Sequence, residues 1–324
     1  MRYRDLTIAL VIPCYNEAKA IAQVVRDFKH AMPALAIYVF DNDSNDDTGA
    51  IAKQAGAQVV RVPLRGKGNV VRRMFADVEA DIYVMVDGDA TYEAAAITTL
   101  VDKLIDEKLD MVVGCRQTAV ETASAAYRQG HQWGNRLLTQ SVIQIFGGKF
   151  TDMLSGYRVF TRRYAKSFPA LSHGFEIETE LTVHALELRM PYGEVVTAYG
   201  ARPEGSESKL STYKDGWKIL KTIGRLYVSE RPFSFFGIVA SSIAVVAVAI
   251  SIPVVLEYLR PGVVPRFPTA ILSASMMVCA LLSFACGLIL DNVTRGRHEI
   301  KRLSYLAIPL ANATAQPEPS PQNN

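Results

Sequence analysis

The chain has 324 residues, 35 Lys+Arg against 32 Asp+Glu for a formal net charge of +3, and 49% hydrophobic content. A sequence this apolar is neither disordered nor collagenous, and a charge this near balance argues against a dedicated nucleic-acid binder. Its length allows one large domain or two ordinary ones, and the apolar residues concentrate after Phe233.

The polar stretch Met1–Asp5 leads straight into a short strand with no signal peptide, so this end is expected in the cytosol. Leu6–Ile12 is a continuous apolar run ending at Pro13, and Ala18–His30 has helical spacing. Strand-like Ala36–Phe40 precedes helical Asp47–Ala55, Gln58–Val62 precedes Asn69–Val78, and Ile82–Val86 precedes Ala94–Glu107, with Met111–Val113 as a fifth strand. That alternation predicts a mainly parallel α/β sheet with helices on both faces. In such sheets ligands lie beyond the carboxyl ends of the strands. Tyr15-Asn16-Glu17, Asp41, Asp87 and Asp89 stand at those ends in turn.

Ser211–Glu230 is a candidate interfacial helix, with Lys214, Lys218, Lys221 and Arg225 on one face and Trp217, Leu220, Ile223, Leu226 and Tyr227 over much of the rest. Such a helix suits an anionic leaflet or an ordinary place on the surface of the soluble domain. From Ser234 to Leu256 there is no Asp, Glu, Lys or Arg. As a helix this run covers about 34 Å, enough for a bilayer core. A second uncharged run, Phe267–Leu290, follows a short link containing Pro261, Gly262 and Pro265, so the pair reads as a transmembrane hairpin rather than two core helices. Lys218, Lys221, Arg225 and Arg231 precede the hairpin and Arg295, Arg297, Lys301 and Arg302 follow it, which puts both ends in the cytoplasm. The tail after Ala311, rich in Pro, Gln and Asn, is expected to be disordered. The four cysteines show no metal-binding spacing.

Asp87-Gly88-Asp89 is the most informative tripeptide, because it ends the apolar strand Tyr83-Val84-Met85-Val86 in register with Asp41. Two carboxylates on one tight turn suit Mg2+ or Mn2+, which fills its other positions with diphosphate oxygens and water. Together with Val11-Ile12-Pro13-Cys14-Tyr15-Asn16-Glu17, Asp41-Asn42-Asp43-Ser44-Asn45-Asp46-Asp47-Thr48 and Gly66-Lys67-Gly68, this tripeptide resembles glycosyltransferase family 2. Within that family the chain looks like the dolichyl-phosphate mannose synthase type, the polyprenyl-phosphate glycosyltransferases. Asp152-Met153-Leu154-Ser155-Gly156-Tyr157-Arg158 and Arg202-Pro203-Glu204-Gly205-Ser206-Glu207-Ser208-Lys209-Leu210 come in the expected order, so the resemblance spans roughly residues 6–210.

The resemblance implies a GT-A catalytic domain, Rossmann-like with a mainly parallel sheet, over 1–210, then an amphipathic juxtamembrane helix over 211–232. A transmembrane hairpin over 233–292 and a basic, then disordered, cytoplasmic tail over 293–324 complete the expected organisation. It implies metal-dependent, inverting transfer of a sugar from a UDP- or GDP-linked donor to a polyprenyl phosphate at the cytoplasmic face of the cell inner membrane. Asp87 and Asp89 would hold the metal. Donor contacts fall on Pro13, Tyr15, Glu17, Asp41, Lys67, Arg202 and Lys209, and Glu178 or Glu180 would face the sugar. Hairpin-bearing relatives suggest a homotetramer.

A lipid phosphate is already ionised and needs positioning more than a general base. Arg116, at the end of the fifth strand, is the first candidate to bind it, with Arg128 and His131 as weaker ones, and Arg158 is expected to hold the acceptor region or a carboxylate such as Asp152. The chain also departs from the family pattern. Asn42 stands where an aspartate is usual, and Thr91 takes the place of a glutamine, as a weaker or water-mediated metal ligand. The Gln-x-x-Arg-Trp sequence of processive synthases is absent, which argues against polymerisation. Gly66-Lys67-Gly68 lacks the spacing of a P-loop. Two other readings stay open: transfer to another membrane lipid, which needs a general base, and a silent nucleotide-sugar-binding scaffold, against which the intact Asp87-Gly88-Asp89 weighs.

Overall fold

A computed structural model of the chain describes residues 2–118, 138–200, 202, 212–259, 262, 264 and 266–310. These fall into two units, one running to Lys221 and resuming at Lys301, the other Thr222–Ile300.

In the first unit the apolar runs become strands and the amphipathic stretches become helices. The order is β1 (Ile8–Cys14), α1 (Ile21–Ala31), β2 (Ala36–Asp41), α2 (Thr48–Gln54), β3 (Gln58–Arg61), α3 (Lys67–Asp77), β4 (Ile82–Met85), α4 (Ala96–Asp106) and β5 (Met111–Thr118). Then come β6 (Arg158–Thr161), α5 (Arg162–Ser167), α6 (Ile177–Glu187) and β7 (Tyr192–Tyr199). One seven-stranded sheet takes the order β3-β2-β1-β4-β6-β5-β7. All its pairings are parallel except those of β6, which runs against both β4 and β5.

Period-two alternation along β1 sends Ile8, Leu10 and Ile12 to one face, against Val25 and Phe28 of α1 and Leu100 of α4. Ala9 and Val11 go to the other face, with Met74 and Phe75 of α3 and Leu181 of α6. Both faces are covered, so these strands carry no polar alternation. Met85 pairs with Arg158, so the chain enters β6 at the carboxyl edge of β4, immediately after the loop that holds Asp152.

On α6, His184 is 2% exposed, edge-on to Tyr164 and Phe168, with Nε2 3.2 Å from Ser167 Oγ. Burial, then Lys301, pulls its pKa down to about 3. A folded-state pKa below the unfolded value of about 6.5 leaves stability intact above that pH and erodes it as pH falls, by roughly 2 kcal/mol at pH 5. Melting curves between pH 7.5 and 5 are expected to slope accordingly, and His184→Gln to flatten that slope.

Asp110, fully buried ahead of β5, accepts hydrogen bonds from Thr161 Oγ1 at 2.8 Å, from Arg163 Nη2 at 2.7 Å and from the Tyr305 hydroxyl at 2.7 Å. The Arg163 guanidinium lies over the Tyr305 ring, 4.7 Å from its centroid, and Lys301 pairs with Glu187 at 2.7 Å. The chain from Lys301 onward is therefore fastened to the sheet domain.

Helix α7 (Thr212–Glu230) buries Ile219 and Ile223 and exposes Trp217, Leu220, Lys221 and Arg225. The second unit holds α8 (Pro232–Tyr258) and all but the last residues of α9 (Phe267–Leu306), two helices long and apolar enough to cross a membrane. Ile238, Val245, Val248 and Leu281 are exposed, so these helices do not form the core of a soluble domain. Their buried positions recur every seven residues, at Ala240, Ala247 and Val254 on α8 and at Ser273, Ala280, Gly287 and Thr294 on α9. Small side chains in that register let helix backbones approach closely. At Gly287 an added Cβ would lie 3.0 Å from Phe236 Cβ. The helix that carries the second apolar run continues past Leu290, through the charged residues that follow it, to Leu306.

Candidate active site

The candidate residues gather at the carboxyl ends of β1, β2 and β4. Beyond β1, Asn16 adopts a positive φ of 54° and turns the chain, and Pro13 lies within the strand itself. The Asn16 amide donates to Ser44 Oγ at 3.0 Å, the Asn45 amide to Asn16 Oδ1 at 2.8 Å and the Glu17 amide to Thr48 Oγ1 at 2.9 Å. These bonds tie the loop of Tyr15 and Glu17 to the loop after Asp41, whose Oδ1 accepts from the Ser44 amide. The Arg65 guanidinium covers the Tyr15 ring at 5.2 Å.

Asn42 accounts for its departure from the family pattern. It is 5% exposed, donates through Nδ2 to the carbonyls of Val62 at 3.0 Å and Leu64 at 2.7 Å, and accepts at Oδ1 from the Gly66 amide at 2.7 Å. Only an amide offers donors and an acceptor together. A carboxylate here would face two carbonyl lone pairs. Asn42→Asp is expected to lower stability by roughly 2–4 kcal/mol, read as a fall in Tm, and to weaken donor binding because the stapled loop leads into Lys67.

The glycines around Lys67 serve close approach. Gly66 has φ 121°, where a Cβ would collide with the His173 backbone, and a Cβ on Gly68 would collide with the backbone of Ser172 and His173. Lys67 is thereby driven inward, its side chain 8% exposed, with Nζ 2.5 Å from Asp87 Oδ1 and 2.5 Å from Glu178 Oε1. Burial opposes its charge, but the two carboxylates outweigh burial and hold the ammonium above the usual lysine range. Glu178 is 4% exposed and its Oε2 has no hydrogen-bond partner among the described residues. Glu180, two residues on, accepts from the amides of Leu171 at 2.8 Å and Ser172 at 2.7 Å. Of the two glutamates, Glu178 reaches the acidic pair, whereas Glu180 holds the loop that packs on the Gly-Lys-Gly turn.

Asp89 is 4% exposed and pairs through Oδ2 with Arg202 at 2.7 Å. Its Oδ1 accepts from the Thr91 hydroxyl at 2.6 Å and the Thr91 amide at 3.2 Å. Thr91, read from sequence as a weaker or water-mediated metal ligand, orients Asp89 through these two bonds. Burial and the nearby Asp87 push the Asp89 carboxyl above the usual range, against Arg202 and Thr91. Asp87 lies against Gly156, where a Cβ would fall on its carboxylate, and the Gly156 amide donates to Tyr92 Oη at 2.9 Å.

Arg116 grips Asp152 edge-on, Nε to Oδ2 and Nη2 to Oδ1 at 2.7 Å each, and lies 5.6 Å over the Tyr199 ring. Arg158 is not the partner of Asp152. It is fully buried and donates to the carbonyls of Ser155 and Met153 and to Thr182 Oγ1, which fixes the loop that presents Asp152. Arg128, His131 and Lys209 lie outside the described residues. Sequence reasoning missed Gly156, Tyr92 and the staple formed by Asn42. A glycine within a quoted motif was the signal for the first, and nothing marked Tyr92.

The Glycosyl transferase family 2 model matches residues 9–168. Glycosyltransferase AglJ of Haloferax volcanii is 31% identical over 301 residues, which is 92% of this chain and 98% of that protein. A dolichyl-phosphate hexose transferase of the same organism is 28% identical over 231 residues, covering 69% of this chain and 95% of that protein. The structure of glucosyl-3-phosphoglycerate synthase from Mycobacterium tuberculosis in complex with Mn2+ and uridine-diphosphate-glucose superposes with a TM-score of 0.55 at 23% identity, over 68% of this chain and 79% of that one. At that identity the likeness concerns the fold.

Proposed function

We propose, from the premise that the chain belongs to glycosyl transferase family 2, that it transfers a sugar from a UDP-linked donor to a polyprenyl phosphate at a membrane surface, with inversion. The observation that carries this reading is the pair of half-buried Asp87 and buried Asp89 at the carboxyl edge of β4, in a chain that continues into two membrane-length helices. The dolichyl-phosphate hexose transferase among its relatives supports the lipid acceptor, and the UDP-glucose complex of a structural neighbour supports the donor.

Asp87 and Asp89 fit a hard divalent cation, since both offer carboxylate oxygens from one short turn at the carboxyl edge of β4. Mg2+ or Mn2+ held there would supply Lewis-acid stabilisation of the departing diphosphate. Arg202, beside Asp89, adds positive charge to the same diphosphate. Tyr15 and Asp41 line the place of the nucleoside, in loops held together by the bonds of Asn16 and Thr48. Arg116 uses its Nε and Nη2 edge on Asp152, which leaves Nη1 for an anionic acceptor. The acceptor phosphate needs no proton removed, so orientation over the anomeric carbon is the main task of these residues. The hairpin and its flanking cations keep the sheet domain on the cytoplasmic side, where soluble donor meets anchored acceptor.

Membranes containing the protein, given Mn2+, polyprenyl phosphate and a panel of nucleotide sugars, are expected to yield a polyprenyl phosphosugar by mass spectrometry. A product formed only on a hydroxyl-bearing lipid would overturn the acceptor assignment.

A further inference from the structure

A guanidinium is flat, so its direction is set only when both an edge and a face are held. At Arg116 the edge is held by Asp152, through Nε and Nη2 at 2.7 Å each. The face is held by Tyr199, whose ring centroid lies 5.6 Å from the guanidinium carbon. Strand register brings the two side chains together. In the parallel ladder of β5 and β7, Arg116 pairs with Thr197 and Thr118 with Tyr199. Side chains two apart along a strand share a face, so Tyr199 lies diagonally beyond Arg116 on the same side of the sheet.

The ring of Tyr199 is itself seated. Tyr92 meets it edge-on, with centroids 5.2 Å apart and planes at 71°. Backbone contacts fix that meeting, since Tyr92 and Tyr199 pair as an isolated antiparallel bridge and the Gly200 amide donates to the Thr91 carbonyl at 2.8 Å. Thr91 and Tyr92 directly follow the turn of Asp87 and Asp89, and the Thr91 hydroxyl is bonded to Asp89. The Tyr92 hydroxyl also accepts from the Gly156 amide, in the loop that presents Asp152. Both the edge and the face of Arg116 are thus referred to the turn that carries the acid pair.

We propose that Tyr199 is a positioning residue for the acceptor: seated on Tyr92, its ring holds the face of Arg116 so that Nη1 meets the acceptor phosphate at a set place relative to Asp87 and Asp89. This rests on the reading of the protein as a polyprenyl-phosphate glycosyltransferase and deepens it, by naming what keeps acceptor and donor in register. An arginine held by Asp152 alone can hinge about that edge. The negative face of the tyrosine ring attracts the cation and stops the hinge. Register matters here because a misplacement of about 1 Å at the reacting atoms costs on the order of 10²-fold.

The test is equilibrium binding to the purified full-length protein in detergent micelles. The probes are radiolabelled undecaprenyl phosphate, the uncharged alcohol undecaprenol, and UDP with Mn2+. Tyr199→Leu is expected to lose roughly tenfold in affinity for undecaprenyl phosphate, while undecaprenol and UDP with Mn2+ stay within about twofold of wild type and Tyr199→Phe restores the loss. Arg116→Gln is expected to lose at least as much, and adding Tyr199→Leu to it to cost nothing further, because the tyrosine acts only through the arginine. Phenylalanines bearing one, two and three fluorines at position 199 keep the shape of the ring and drain its negative face. They are expected to weaken phosphate binding stepwise, and they carry the test alone if Tyr199→Leu does not fold. A flat fluorine series, an equal loss of UDP affinity in Tyr199→Leu, or a further loss when Tyr199→Leu is added to Arg116→Gln would each overturn the proposal. A wild-type protein that binds undecaprenol as tightly as undecaprenyl phosphate would overturn the acceptor assignment first, and this inference with it.

Discussion

Asp89→Ala is expected to lose transfer by roughly 10²–10³-fold while the protein keeps its fold and its Tm. The carboxylate is 4% exposed, paired with Arg202 and hydrogen-bonded twice to Thr91, so its position is fixed before any ligand arrives. Burial and Asp87 both disfavour its ionised form. On the proposed reading its retention serves metal binding rather than stability, and alanine should leave the melting curve unchanged or shifted upward. Mn2+ binding followed by electron paramagnetic resonance provides the second readout, and it should weaken in step with the rate. Retained Mn2+ affinity, or wild-type turnover in excess chelator, would remove Asp89 from the metal site.

Gly156→Ala is expected to be nearly as damaging although Gly156 bears no functional group. A methyl group there would occupy the volume of the Asp87 carboxylate. The backbone cannot easily yield, because the Gly156 amide is bonded to Tyr92 and the next residue, Tyr157, is fully buried against Phe28 and Tyr92. Asp87 must then rotate away from Lys67. A misplacement of about 1 Å in a catalytic group costs on the order of 10²-fold. Steady-state rates with Mn2+ varied should show a raised metal requirement along with the lower turnover, and circular dichroism should show an intact sheet.

The first half of the sheet domain was legible because β1, β2 and β4 are mostly apolar runs, β5 opens on one, and α1, α3 and α4 each bury an apolar stripe. Their bounds shift by only a few residues between sequence and structure. The second half was less so. β6 has four residues and opens with an arginine whose burial depends on three partners far from it in sequence or in the preceding loop, so nothing local announces a strand. β7 lies at the sheet edge, where its side chains are only partly covered and the apolar signal is diluted.

At the site, the strand-end carboxylates could be read directly, since an aspartate that stops a buried strand has few structural reasons to be there. The ion pairs could not. Nothing in the sequence says that Arg116, rather than Arg158, meets Asp152, because both arginines follow the same motif order and differ only in which side of the loop they reach. The role of Asn42 was equally hidden. Its substitution looked like the loss of a charge, whereas its amide bonds to Val62, Leu64 and Gly66.

The hydrogen bond from Tyr305 to Asp110 bears on how the enzyme can be handled in water. Cutting the polypeptide after Lys221 to discard the oily helices would also discard the tyrosine that caps a fully enclosed carboxylate, together with the lysine that answers Glu187. The trimmed product would carry an aspartate short of one hydrogen-bond donor and a glutamate that has lost its lysine, on the side away from the chemistry, and its poor yield could be mistaken for a need for lipid. A soluble version of this enzyme should graft residues 301–310 back onto the shortened polypeptide.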